Sequence, residues 1–405
     1  MKRPLALAII LSCNTAVYSA DWPAWRGPGG QGHSAEKNLP LKWSKTENVK
    51  WHVPLAEPGN SSPIVWGDKI FLTQANKGGS VRSLLCFAKA DGKLLWQKDT
   101  AYAEKEYCYN PAYYCSASPV TDGERVVVGY GQAGMYCYDF DGKGLWKRTD
   151  LGVWSHSFGN ASSPVLYQDL AILWCGPNEG FKDRNWLLAL DKKTGKTIWE
   201  TDQKGGSWST PLITKVNGQD QLILCVPHKL KGFDAKTGKE LWFCDGVTGQ
   251  TRASPLYGNG IAVALCSLGG SALAVRVGGT GDITTDRLWH HPSKSKRTGS
   301  GVIVGDHVYV LEEIGIPQCF DLKTGDEVWK VQSRLVGSWS SMVHADGRLY
   351  VPNYSGDTFV FAASPKYELL ATNRLSEQTN SSIAVSDGEL FIRTAKTLWC
   401  ISEKK

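Results

Sequence analysis

The chain has 405 residues, 45 basic against 39 acidic, and a formal net charge of +6 at neutral pH. A balance that mild supplies no basic stripe for nucleic acid and no polybasic membrane anchor. Tryptophan, at 17 residues, is over-represented enough to suggest periodic use.

Residues 1–20 read as an export signal. Lys2 and Arg3 form the charged start, Leu5 to Leu11 the apolar run, and Val17-Tyr18-Ser19 or Ala20 a small-residue cleavage site. The run falls far short of the ~20 residues that span a bilayer. Ile10-Leu11-Ser12-Cys13 also resembles a bacterial lipoprotein signal, in which Cys13 would carry a lipid. Either way the chain is exported, to the periplasm or beyond the cell, and any membrane contact runs through Cys13. Residues 21–40 form an N-terminal extension, and 41–405 carry one repeated unit.

Leu187-Leu-Ala-Leu-Asp-Lys-Lys-Thr-Gly-Lys-Thr-Ile-Trp199 is the clearest copy, and it recurs at 230–242 and 317–329. Looser copies end at Trp96, Trp146 and Trp289, with a degenerate one at Leu370. Glycine lies four residues before the tryptophan at Gly92, Gly195, Gly238 and Gly325. A small residue lies ten before it at Cys86, Ala189, Gly232 and Cys319. Interleaved with this pattern, Ser62-Pro63, Ser118-Pro119, Ser163-Pro164, Thr210-Pro211 and Ser254-Pro255 each precede an apolar strand. Gly301, Met342 and Ile383 hold the same place without proline.

Each unit reads as a four-stranded antiparallel meander. Val126-Val-Val-Gly-Tyr and His307-Val-Tyr-Val-Leu are β-rich runs, and the Asp-x-x-Thr-Gly segments are tight hairpins. Such a sheet cannot bury both faces alone, so units must stack in a ring. Starts at 63, 119, 164, 211, 255, 301, 342 and 383 predict an all-β, eight-bladed propeller. The last unit runs out of chain at Trp399-Cys400-Ile401. Trp51 lies 12 residues before Pro63, the normal step, so residues 47–54 are predicted to supply the missing strand and close the ring. Trp51, Trp96, Trp146, Trp199, Trp242, Trp289 and Trp329 should pack between blades, each burying on the order of 150–250 Å².

These units resemble the pyrroloquinoline-quinone (PQQ)-like propeller repeat over roughly residues 41–402. The superfamily includes quinoprotein alcohol dehydrogenases and the non-enzymatic propeller lipoprotein of outer-membrane protein assembly. The opening Asp21-Trp-Pro-Ala-Trp-Arg-Gly-Pro28 resembles the start of secreted bacterial PQQ-like repeat proteins. The dehydrogenase resemblance implies PQQ in the funnel between a tryptophan and a disulfide of neighbouring cysteines, Ca²⁺ held by acidic and amide side chains, and an aspartate base. No two cysteines are adjacent here. The reading that follows is a non-catalytic binding or scaffold propeller with a protein or peptide partner in the cell envelope, working as a monomer. A PQQ-dependent dehydrogenase is the alternative, and a cofactor is expected only under that alternative.

Other motifs fall away. Gly27-Pro-Gly29-Gly-Gln-Gly32 follows no strand and contains Pro28, so it is no dinucleotide site. The Asp-Lys-Lys-Thr-Gly turns alternate with lysine and make poor calcium loops. Eight histidines show no zinc spacing, and no metal site is expected. Most of the 11 cysteines sit at repeat positions as small packers. Cys108 and Cys115, six apart in a long insertion, are the candidate disulfide.

The first strand of each blade lines the channel. Counting three back from each start gives Asn60, Ser116, Ala161, Trp208, Arg252, Thr298, Trp339 and Asn380 at one mouth. This ring contains no carboxylate. Of these, Asn60, Trp208, Arg252, Thr298, Trp339 and Asn380 are the candidate ligand contacts, suited to a planar or anionic ligand. The alternative is that the ring plugs the channel. Two insertions, 102–114 and 151–160, add aromatics; Tyr109, Tyr113 and Trp154 are the candidate interface residues.

Overall fold

The computed structural model describes residues 21–403, except 107, 110–112, 155, 179–183, 293–294 and 332–334. The expected signal segment and Cys13 lie outside the described residues, as does Tyr107 of the first insertion.

Eight antiparallel sheets form the ring, at 64–101, 120–148, 165–203, 212–247, 256–291, 302–330, 343–374 and 384–401. They are numbered blades 1 to 8 here. Six take four consecutive strands, blade 4 adding Gly281–Asp282 as a fifth, and blade 5 takes four that this segment interrupts. Blade 8 takes three and is completed by Val49–Pro54, which pairs antiparallel with Thr397–Ile401. The closure predicted from the Trp51 spacing is therefore present. Second strands such as Leu170–Cys175 and Ile261–Leu265 are buried along their whole length, because neighbouring blades cover both faces. Outer strands such as Thr197–Gln203 are half exposed.

The repeat hairpins consume their own polar groups. Asp191 Oδ1 accepts the N–H of Lys193 at 3.0 Å and of Thr194 at 2.7 Å, and Gly195 takes φ 71°. Asp234 and Asp321 repeat this.

The tryptophan packing differs from the simplest expectation. Each ring docks on the turn glycine of the following blade, not of its own unit. Trp51 covers Gly92, Trp96 covers Gly142, Trp146 covers Gly195, Trp199 covers Gly238 and Trp289 covers Gly325. A methyl at any of these glycines would lie 2.4 to 2.9 Å from the ring or nearer atoms. The indole N–H of Trp51, Trp96, Trp146, Trp289 and Trp329 donates to a carbonyl of the next blade, at 2.9 to 3.2 Å. Trp242 departs from the pattern. Blade 5 has no repeat hairpin; Gly281–Asp282 instead pairs parallel with the outer strand of blade 4. Trp242 turns inward over Gly232 of its own blade, is fully buried, and donates to Gln221 Oε1 at 2.8 Å.

Around the channel runs a closed belt. The backbone N–H of Ser62 donates to Ser118 Oγ, Ser118 to Ser163, Ser163 to Thr210, Thr210 to Ser254, Ser254 to Ser300, Ser300 to Ser341, Ser341 to Ser382 and Ser382 to Ser62. One hydroxyl from each blade thus satisfies a buried donor of the blade before it.

The N-terminal extension crosses the opposite mouth. Trp22 is buried and exchanges both backbone hydrogen bonds with Val65 of blade 1. Pro23 accepts from Thr121 of blade 2, Gln31 from Tyr257 of blade 5, and Gly32 from His344 of blade 7. Arg26 is buried and donates to Gly301 of blade 6. Residues 21–40 therefore form a strap across the channel.

Candidate functional site

All eight positions counted from the repeat line one cavity of about 280 Å³. The reason is periodicity. Each lies two residues before a belt residue, and side chains two apart on an extended segment share a side. Trp25 of the strap also lines this cavity, and lines a second one on the strap side. Trp25 is therefore common to the two cavities. A neighbouring cavity of about 350 Å³ shares Asn60, Tyr109, Glu313, Trp339 and Asn380, and adds Tyr113 and Tyr354.

Two aromatic groups line the funnel. In one, Trp208 is buried and donates its indole N–H to the Gly159 carbonyl at 2.8 Å. His156 meets it edge-on, ring centres 4.6 Å apart. The Arg252 guanidinium sits 5.1 Å from the Phe158 ring centre and 5.7 Å from that of Trp208, and donates to Gln250 Oε1 at 2.8 Å. Burial lowers the pKa of Arg252, with Glu313 the largest opposing influence. In the other, Trp339 meets Tyr354 edge-on at 5.7 Å and donates to Glu313 Oε1 at 3.2 Å. Thr298 donates to Glu313 Oε2 at 3.0 Å. Burial, then the Glu313 charge, raises the Tyr354 pKa well above its ordinary value. Asn160 and Asn380 line the funnel, and their buried Oδ1 atoms have no hydrogen-bond partner among the described residues.

Glu313 was missed by counting along the repeat. It enters from the loop between His307–Leu311 and Pro317–Asp321 of blade 6, so a carboxylate does reach the funnel although the counted ring has none. The adjacent pair Glu312-Glu313, just after a buried strand, was the available signal.

The insertions need correction. Trp154 is 1% exposed and meets Trp186 edge-on at 5.4 Å, inside the core shared by blades 2 and 3. It is packing, not interface. Tyr113 is half-buried. Tyr102 and Tyr114 enclose the buried Arg82, whose guanidinium pairs with Glu106. Tyr109 alone of the three candidates is exposed, at 44%. Cys108 and Cys115 are both free thiols. Cys115 is buried with its sulfur toward the Pro58 carbonyl, whereas Cys108 donates to the Tyr113 carbonyl at 2.8 Å. The two sulfurs serve different neighbours.

A protein-family model described as outer membrane protein assembly factor BamB matches residues 82–331, more than half of the chain. The chain belongs to that family. It is 25% identical over 349 residues to BamB of Burkholderia pseudomallei (strain K96243), covering 78% of this chain and 80% of that protein. The solved BamB of Moraxella catarrhalis superposes with a TM-score of 0.61 at 14% identity, covering 87% of this chain and 96% of that one. A quinohemoprotein alcohol dehydrogenase from Comamonas testosteroni superposes at 0.68 with 10% identity, covering 95% and 81%. At such identities these structures carry the propeller fold alone.

The funnel does not match the quinone site that the dehydrogenase resemblance implies. There is no adjacent cysteine pair, and among the described residues lining the two funnel cavities Glu313 is the one acidic side chain. Among the described residues no three His, Cys, Asp or Glu side chains converge as a metal centre would need, and no helix is long and apolar enough to cross a membrane.

Proposed function

We propose that this propeller is a non-catalytic binding module of the cell envelope, and that it takes a polypeptide partner on its funnel face. The observation that carries the reading is the company the funnel keeps. Tyr109, Val153, Leu268, Ile314 and Val336 are exposed, and all lie in loops that enter first strands or join second to third strands, hence on the funnel side. An apolar rim around an aromatic pocket with a few polar groups is the usual composition of a protein-binding site. Membership of the BamB family supports an envelope role, since the relatives are named for outer-membrane protein assembly. The export signal read from residues 1–20 agrees, and the mature protein is proposed to work in the periplasm or outside the cell.

The test has two arms. Adding PQQ and calcium to the purified protein should give no stoichiometric quinone absorbance band and no dye reduction with alcohols; either would overturn the non-catalytic reading. The immobilised mature protein should retain one reproducible partner from an envelope extract, and Trp339→Ala should lose it at unchanged melting temperature. Equal retention by the variant would move the binding surface elsewhere.

A further inference from the structure

The funnel holds a cation, Arg252, that forms no ion pair among the described residues. The protein itself shows how such an arrangement is completed. Arg82 lies between Tyr102 and Tyr114, with its guanidinium 4.8 and 5.4 Å from their ring centres, and its charge is met by Glu106. Arg252 repeats the first half. It lies against Phe158 and Trp208 and is mostly buried, yet its hydrogen bond goes to the neutral Gln250. No described carboxylate forms an ion pair with it. Glu313 reaches it only through space, with both oxygens engaged by Trp339 and Thr298.

A guanidinium stacked on rings and facing a cavity is preorganised for a planar, bidentate anion, and carboxylate is the one that fits its fork. We infer that Arg252 reads a carboxylate on the polypeptide partner, with the attached group lying between Trp208 and Trp339. The inference rests on the binding-module reading above. Glu313 sets polarity: it repels a second negative charge and accepts from an N–H or O–H donor on the same ligand. A cavity of about 280 Å³ has room for a chain end or one side chain rather than a longer stretch of polypeptide.

Calorimetric titration of the mature protein with three small probes tests this. The probes are N-acetyl-L-phenylalanine, its amide, and N-acetyl-L-aspartic acid α-amide, which moves the carboxylate to a side chain. The phenylalanine acid should bind about tenfold or more tightly than its amide. Arg252→Gln should erase that preference, Arg252→Lys should keep part of it, and Glu313→Gln should tighten binding of both acids. Whichever acid binds better identifies the source, chain end or side chain. Equal binding of acid and amide, a preference that survives Arg252→Gln, or no binding of either acid overturns the assignment. If that happens while partner capture still depends on Trp339, the binding-module reading stands and only the role of Arg252 falls.

Discussion

The backbone N–H of Ser382 donates to the hydroxyl of Ser62 at 2.9 Å, joining blade 8 to blade 1 across 320 residues of sequence. It is one of eight equivalent contacts, and it closes the belt. Each hydroxyl satisfies an N–H that the channel wall buries. Ser118→Ala should therefore leave the Ser62 N–H unpaired, costing roughly 1–3 kcal/mol in denaturant unfolding. A loss near zero would mean that water replaces the hydroxyl.

The two kinds of tryptophan should respond differently to truncation. Trp242 is wholly buried and its indole N–H is satisfied, so Trp242→Ala should cost about 3–5 kcal/mol. Trp199 is half-buried, and its indole N–H has no partner among the described residues. Trp199→Ala should cost nearer 2 kcal/mol, the worth of the ring area it covers over Gly238. Equal losses would contradict the docking geometry.

Much of this was legible because a ring repeats its solution. The Ser-Pro signal marked the belt, the step from Trp51 to Pro63 marked the closure, and counting back from each start found the funnel. What repeats does not predict is what enters from outside the repeat. Glu313 comes from a loop with no counterpart in the motif. The strap at 21–40 has no strand period, and its hydrogen bonds reach residues hundreds of positions away, as Gly32 does to His344. Trp154 was misread because composition alone does not tell a displayed aromatic from one that folds back under its own loop.

That misreading makes its own test. Tyr109→Ser should leave the melting temperature nearly unchanged, since the ring is exposed and touches Phe158 edge-on. Trp154→Ser should destabilise by about 3–5 kcal/mol, because it empties a core site and buries a hydroxyl there. Thermal unfolding of the pair decides it; a stable Trp154 variant would return that residue to the surface.

The strap carries a pH dependence. His33 Nδ1 and His344 Nδ1 lie 3.2 Å apart, one donating and the other accepting, which requires the accepting ring to be neutral and is lost when both are protonated. Burial first, then His344 and Arg26, lower the His33 pKa to about 4; burial and then Lys37 lower that of His344. The unfolded chain takes up these protons near pH 6.5, the folded one at lower pH, about 4 for His33. The unfolded state therefore binds more protons in that window, so stability is full above about 6.5 and falls as pH drops toward 4. His33 alone should account for roughly 2–3 kcal/mol. Comparing His33→Gln with the parent isolates it from the carboxylates: the variant should lose less stability between pH 7 and 4.5. Parallel losses would show that the pair does not titrate with folding.

On the proposed reading the funnel face, rather than the blade edges, meets the partner. A photo-crosslinking residue placed in living cells at Tyr109, Ile314 or Ile198 tests it most directly. The first two rim the funnel, and Ile198 is more exposed still, on an outer strand. Adducts of one mass should form from Tyr109 and Ile314, be absent from Ile198, and disappear when Trp339→Ala is added. Adducts from Ile198 alone, or rim adducts indifferent to Trp339, would contradict the account.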